Sequence, residues 1–389
     1  MAGRRHWQVA AAVLAGLLAG CTTTVRGVAT PASPTATSAA PTSAAGPSNS
    51  PAEQGAVLEA HRLASVTSLI PVTFPERTGS CPRASGPFVE AGELEDAYFD
   101  YGTADILDRH GFVAAWSECN RVTGAARATV SAIVELADEA AVEQAAEELA
   151  AANVANGFVR VPVPGFDSPA VAQDDQASQY VLAFVPVGPV LAICYHTSLR
   201  DQGIAEISRL MTDQVALLRS FRPTAPADRP QLPTDPQDLA RLVLEPPGEP
   251  TPLTGPYDLE GALRLATDPV AERELLTAHN LSGYYLRQGR RDDVFATVRL
   301  WSFPNQAAAE AVHGGLVQLD ETAGDRPFTS TTVPEAVCYA VRSGTSDVLR
   351  CRIQALEYLA AVSVNDPDRA SATATMDQLL RDQLDLIDG

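Results

Sequence analysis

The chain has no lysine; all 28 of its basic residues are arginine. That absence removes the P-loop phosphate lysine, the Ser-x-x-Lys acylase and every lysine Schiff base. Also missing are a Gly-x-Ser-x-Gly elbow, a His-Glu-x-x-His helix and a Cys-x-x-Cys knuckle, so neither an α/β-hydrolase nucleophile nor a zinc site is written in the sequence. Histidine is scarce, six in 389 residues. No catalytic residue, metal site or cofactor is assigned, and the expectation is a protein that is not an enzyme. A serine triad built without an elbow is not removed by these absences.

Positive charge is also in short supply, 28 basic against 48 acidic residues. Such a surface repels phosphate backbones, so nucleic acid is not an expected partner. It repels anionic phospholipid surfaces as well.

The N-terminus carries the strongest signal. Arg4 and Arg5 precede an apolar run from Val9 to Leu18, and small residues close it at Leu18-Ala19-Gly20-Cys21. That order is a signal peptide's, and the run falls short of the roughly 20 residues that cross a bilayer. A cysteine directly after Leu-Ala-Gly matches the bacterial lipobox, whose thiol receives diacylglycerol before cleavage on its N-terminal side. The expectation is a signal peptide over residues 1–20 and a lipid-anchored Cys21, with the chain on the extracytoplasmic face of the cell membrane. Residues 21–54, rich in Thr, Ser, Ala and Pro, cannot bury enough apolar surface to fold and read as a tether.

The remainder contains a weak internal repeat. Leu107-Asp108-Arg109-His110-Gly111-Phe112-Val113-Ala114-Ala115-Trp116 runs from a helix end into a strand, and Leu276-Thr277-Ala278-His279-Asn280-Leu281-Ser282-Gly283-Tyr284-Tyr285 does the same. An alternating strand follows each, at 128–136 and 295–303, then an alanine-rich helix with Asp138 or Asn305 placed to cap it. Further strands are expected at 180–187, 190–195, 337–343, 346–355 and 359–364, with last helices at 202–220 and 368–387. The predicted class is α+β, two tandem antiparallel sheets each with helices packed on one face. The first domain spans 55–222, a Pro-rich linker 223–236 and the second domain 237–389.

With Cys21 set aside, five cysteines remain, an odd number. Cys338 and Cys351 lie symmetrically about Gly344-Thr345, which suits a two-residue hairpin turn and places them opposite each other on a non-hydrogen-bonded pair. A cross-strand disulfide is expected there in an oxidising compartment, against the alternative of two buried thiols. Cys81 is assigned to Cys119, with Cys194 a competing partner that spacing alone does not remove. Cys194 aligns near Val362 and reads as a buried free thiol.

Single residues invite chemical readings with bland alternatives beside them. His110 and His279 share a repeat position, as a symmetric site would, yet each ends a predicted helix, where histidine meets the dipole's negative end. The acidic stretch 93–105 suggests a calcium loop but lacks alternate-position oxygens, so a solvated, partly helical connection is expected. Trp116, Tyr284 and Tyr285 would stack on a sugar if exposed; inside repeat strands they read as core.

The start Cys21-Thr22-Thr23-Thr24-Val25-Arg26-Gly27-Val28-Ala29-Thr30-Pro31 resembles those of actinobacterial envelope lipoproteins. The helix-to-strand stretches at 107–116 and 276–285 resemble an uncharacterised family of such proteins, with two tandem related domains. The resemblance implies an exported, lipid-anchored module and carries over no catalytic residue. The leading expectation is a non-catalytic binding or interaction module with its ligand, lipid or partner protein in the groove between the copies. A lipid or glycolipid carrier would need a long apolar cavity, and an envelope hydrolase a clustered Ser/His/acid set.

Overall fold

A computed structural model describes residues 50–81, 85–98, 101–175, 177–343 and 346–389. The expected signal peptide, Cys21 and the expected tether as far as residue 49 lie outside the described residues, as do Gly344 and Thr345 of the expected turn. The described residues form one compact unit.

The first copy runs α1 (Pro51–Ser65), α2 (Ile70–Thr73), β1 (Gly79–Ser80), β2 (Gly86–Phe88), α3 (Ala91–Tyr98), α4 (Thr103–Arg109), β3 (Ala114–Arg121), β4 (Ala128–Glu135), α5 (Glu139–Ala155), β5 (Val159–Arg160), β6 (Ala170–Asp174), β7 (Ser178–Val187), β8 (Val190–Leu199) and α6 (Gly203–Leu218). The second runs β9 (Glu249–Pro250), β10 (Gly255–Tyr257), α7 (Leu259–Leu263), α8 (Pro269–Ala278), β11 (Gly283–Arg291), β12 (Val294–Ser302), α9 (Gln306–Ala323), β13 (Arg326–Phe328), β14 (Val337–Ser343), β15 (Ser346–Ala355), β16 (Tyr358–Asn365) and α10 (Arg369–Asp388). Each copy forms an antiparallel sheet, ordered β3-β4-β8-β7-β6-β5 and β11-β12-β16-β15-β14-β13, with short strands added beside β3 and β11. The α+β class and the antiparallel sheets follow the sequence expectation.

The caps explain where several elements begin and end. Ser50 and Glu53 form a reciprocal capping box at α1. Asp138 accepts from the Ala141 amide at 2.9 Å, and Asn305 from the Ala308 amide at 3.0 Å. His110 and His279 are the C-terminal caps of α4 and α8, followed by Gly111 and Asn280 at φ of 73° and 53°. Gly111 has a second constraint: a Cβ there would lie 2.8 Å from that of Ala137.

Helices cover both faces of each sheet, where the sequence suggested one. On β4, Val130, Ala132 and Val134 pack with α5, while Ile133 packs on the opposite side with α6. The alternation read as half-buried because it mixes in Thr129, Ser131 and Glu135. These are buried too, each with a partner: His196, Gln214 and Arg229. Residues 161–179, where the sequence suggests no strand, contain β6, whose run Ala170-Val171-Ala172 is too short to show a period.

The copies stack front to back. The face of the first sheet covered by α1, α2 and α6 shares one hydrophobic core with the face of the second covered by α7, α8 and α9. In that core Trp116, Tyr257, Tyr284 and Trp301 meet edge to face in succession, with centroids 6.1, 5.9 and 5.2 Å apart. The space between the copies is therefore packed interior, not the expected groove. Residues 223–236 also pack on the body, since Thr224 hydrogen-bonds Glu59 and Arg229 pairs with Glu135.

A glutamine fastens the last helix of each copy. Gln214 of α6 donates to the Val66 carbonyl at 2.7 Å and accepts from the Ser68 amide at 2.7 Å. Gln383 of α10 does the same for Leu242 and Leu244, at 2.7 and 2.8 Å. Both glutamines are fully buried. Replacing either with leucine strands a backbone amide and a carbonyl, at about 1–3 kcal/mol for each group left unpaired. Urea denaturation of Gln214→Leu and Gln383→Leu should each show a loss of about 2 kcal/mol or more, with faster amide exchange at Ser68 or Leu244. Unchanged exchange would show that the clamp is dispensable.

Candidate functional site

The structure joins Cys81 to Cys119 and Cys338 to Cys351, with Cα atoms 5.3 and 4.0 Å apart. Cys338 lies directly opposite Cys351 in the ladder. Cys194 is free and buried, and burial pushes its thiol up to about 12, which keeps it un-ionised and unreactive.

A Ser/His/acid group does assemble. His196 Nε2 donates to Glu206 Oε2 at 2.8 Å, Ser198 Oγ donates to the same oxygen, and Thr129 Oγ1 donates to His196 Nδ1 at 2.9 Å. The order of contacts is wrong for a nucleophile. The serine proton faces a carboxylate that the His196 hydrogen bond, above all, holds at about 2, too weak a base to take it. Ser198 and His196 are both buried, and burial lowers the imidazole's pKa. The group fastens α6 to β8.

The other sequence candidates also resolve into structure. His110 pairs with Glu148 of α5 at 3.1 Å, and no cluster of three metal-binding side chains occurs among the described residues. The stretch 93–105 contributes α3 and α4. Trp116, Tyr284 and Tyr285 are core.

Of the cavity that the first copy holds, the sequence singled out only residues of the acidic stretch 93–105, and those for a calcium loop rather than for a cavity wall. About 460 Å³ in volume, the cavity lies between the sheet and α3–α5, within the size range of small-ligand sites. Its floor is the face of β7 and β8 that carries Leu182, Phe184 and Ile193, grading outward to Tyr180, Tyr195 and, on β6, Gln173. The opposite wall holds Asn153 and Phe158, with Asp96, Ala97, Tyr101 and Thr103 from the α3–α4 region. Tyr101 is 45% exposed and meets the Phe158 ring edge-on at 6.3 Å.

Asn153 is buried. Its Nδ2 donates to the Leu149 carbonyl at 2.9 Å, which fixes the orientation of the amide, and its Oδ1 has no hydrogen-bond partner. A buried acceptor left so costs about 1–3 kcal/mol.

The second copy shows what fills the equivalent space. Asp138 and Asn305 cap matching helices, so Asn153 corresponds to Asp320, 15 residues along each. The turns at Gly188 and Leu356, both with positive φ, match Leu182 to Arg350 and Phe184 to Arg352. The amides of Phe158 and Asp325 return to the carbonyls of Asn153 and Asp320 in the same way. Arg350 donates to Asp320 at 3.2 Å, and Arg352 pairs with it as well, all three residues shielded from solvent. The three charged positions that make an ionic plug in one copy are neutral in the other, as Asn153, Leu182 and Phe184, and a cavity stands in its place.

A sequence signal for the closing helices was present but unread: Leu210-Met211-Thr212-Asp213-Gln214-Val215-Ala216-Leu217-Leu218 aligns with Leu379-Leu380-Arg381-Asp382-Gln383-Leu384-Asp385-Leu386-Ile387. The cavity had only a differential signal, neutral residues at 153, 158, 182 and 184 against charged ones in the second copy.

Residues 46–234 match a family described as Domain of unknown function (DUF7373) N-terminal. No curated protein matches the chain. Among solved structures, crystal form III of TP0453 is similar at 8% identity and a TM-score of 0.24, over 80% of this chain and 97% of that one.

Proposed function

We propose that this chain is a non-catalytic binding module of the bacterial cell envelope, exported and held to the membrane by diacylglycerol on Cys21, with a small-ligand site in its first copy. One observation carries the binding reading: the cavity opens where the second copy is plugged by Asp320, Arg350 and Arg352. A fold that needed only stability had a filled solution available in its own repeat. Asn153 is one of the residues that line this space.

Two measurements test the proposal. Globomycin should leave the precursor unprocessed, and Cys21→Ala should release the protein from the membrane; an unchanged distribution overturns the anchor. Native mass spectrometry of the full chain from its own cells should show a bound small molecule. An unliganded protein that takes up nothing from an extract of those cells overturns the binding reading.

A further inference from the structure

We infer that the cavity receives an organic ammonium ion, with its charged head among aromatic rings near the mouth and a small apolar body on the floor. The inference rests on the binding reading and adds the chemical class.

The rings come from two sides. Tyr180 and Tyr195 stand on one face of the sheet, since Tyr195 pairs with Leu182, two residues on from Tyr180, and at that diagonal spacing aromatic side chains reach each other. Tyr101 and Phe158 line the opposite wall as an edge-to-face pair. Both strand tyrosines are half-buried and Tyr101 is exposed, so these rings lie at the outer level of the cavity rather than in sealed core. Aromatic rings present a negative face, and ammonium ions are attracted to it within about 6 Å of the centroid.

The charge of the lining has one sign. Asp96, which is exposed, supplies its charged side chain, and among the described residues no arginine or histidine lines the cavity. The stretches 93–105 and 173–180, which contribute lining residues near the mouth, contain seven acidic residues and no basic one. Charge acts through space over roughly 8 Å at physiological ionic strength, so the field at the mouth does not depend on where one carboxylate oxygen points. An anion would be repelled there without a counter-charge, and a neutral ligand would draw nothing from that field. The side chains of Leu182, Phe184 and Ile193 hold only carbon, which suits an apolar body and disfavours a second charge at the floor. A head kept at the level of the rings stays partly hydrated and avoids the cost of a buried ion.

The test is a ligand-observed NMR titration of the purified full chain with three probes that share one apolar body and differ in charge: phenethylamine, phenethyl alcohol and hydrocinnamate. The amine should bind about fivefold more tightly than the alcohol, and hydrocinnamate more weakly than either. Tyr101→Leu, which keeps apolar bulk and removes the ring, should weaken the amine about twofold to fivefold. Asp96→Asn should weaken it about twofold and leave the alcohol unchanged. Both positions are exposed, so neither substitution threatens the fold. Equal or tighter binding of the alcohol or of hydrocinnamate overturns the ammonium class and keeps the binding module. Amine binding indifferent to both variants places the ion elsewhere and overturns the inference. Silence from the amine overturns it too, whereas the binding reading falls only if native mass spectrometry of the protein from its own cells also finds nothing bound.

Discussion

Arg264→Met should destabilise the folded chain by about 3–5 kcal/mol at neutral pH. Arg264 is buried where the copies meet; its Nε donates to the Ala64 carbonyl of α1 at 3.0 Å, and it lies 3.7 Å from Glu118 of β3. Glu118 is itself buried and accepts from the Ile70 amide at 3.2 Å. Without the guanidinium its carboxylate would be a buried charge with no counter-ion. Burial already pushes Glu118 up to about 7, and Arg264 is the main group holding it down.

The sign of the pH dependence follows. A carboxyl whose folded pKa lies above its unfolded value gives its full stability below the unfolded pKa, near 4.5, and loses it as pH rises through the folded one. The deficit of Arg264→Met should therefore be larger at pH 8 than at pH 5, read as the urea midpoint at constant slope. Adding Glu118→Gln should recover most of it. An equal deficit at both pH values would mean that the lost Ala64 contact, not the charge, causes the effect.

Trp116→Ala should cost a similar amount, about 3–5 kcal/mol. Trp116 comes from the first sheet and Tyr257, Tyr284 and Trp301 from the second copy, so the aromatic succession crosses between the copies. Trp116 is 1% exposed, so its removal leaves a hole inside the core. Because the two sheets share this core, one substitution should loosen both, and denaturation followed at the two disulfide-bearing regions should shift together. A cost under about 1 kcal/mol would contradict the packed interface, since so large a cavity cannot go unfelt.

How much of this was legible depends on what each feature needs from the chain. Caps are local, so Asp138 and Asn305 announced their helices. The Cys338–Cys351 pair was readable because a tight turn fixes register by counting. Trp116, Tyr284 and Tyr285 were readable as core from their place in repeated strands. Burial on both faces was not, because Thr129, Ser131 and Glu135 look like a solvent face until His196, Gln214 and Arg229 arrive from far along the chain. The cavity was hidden for a related reason. Leu182 and Phe184 are ordinary strand residues, and they mean something only against Arg350 and Arg352, whose correspondence depends on two turns that share a backbone conformation but no sequence.

The front-to-back stacking gives the two copies unequal freedom. A two-fold pairing would have hidden the same surface in both, whereas here each copy surrenders a different one. The α7–α8 side of the second copy is occupied by its neighbour, and its interior had to be solid enough to serve as a foundation. The corresponding α3–α4 side of the first copy bears no load and opens outward. Position in the stack decides which copy can be hollow: the α7–α8 side of the second is built over, and only the first keeps the corresponding side uncovered.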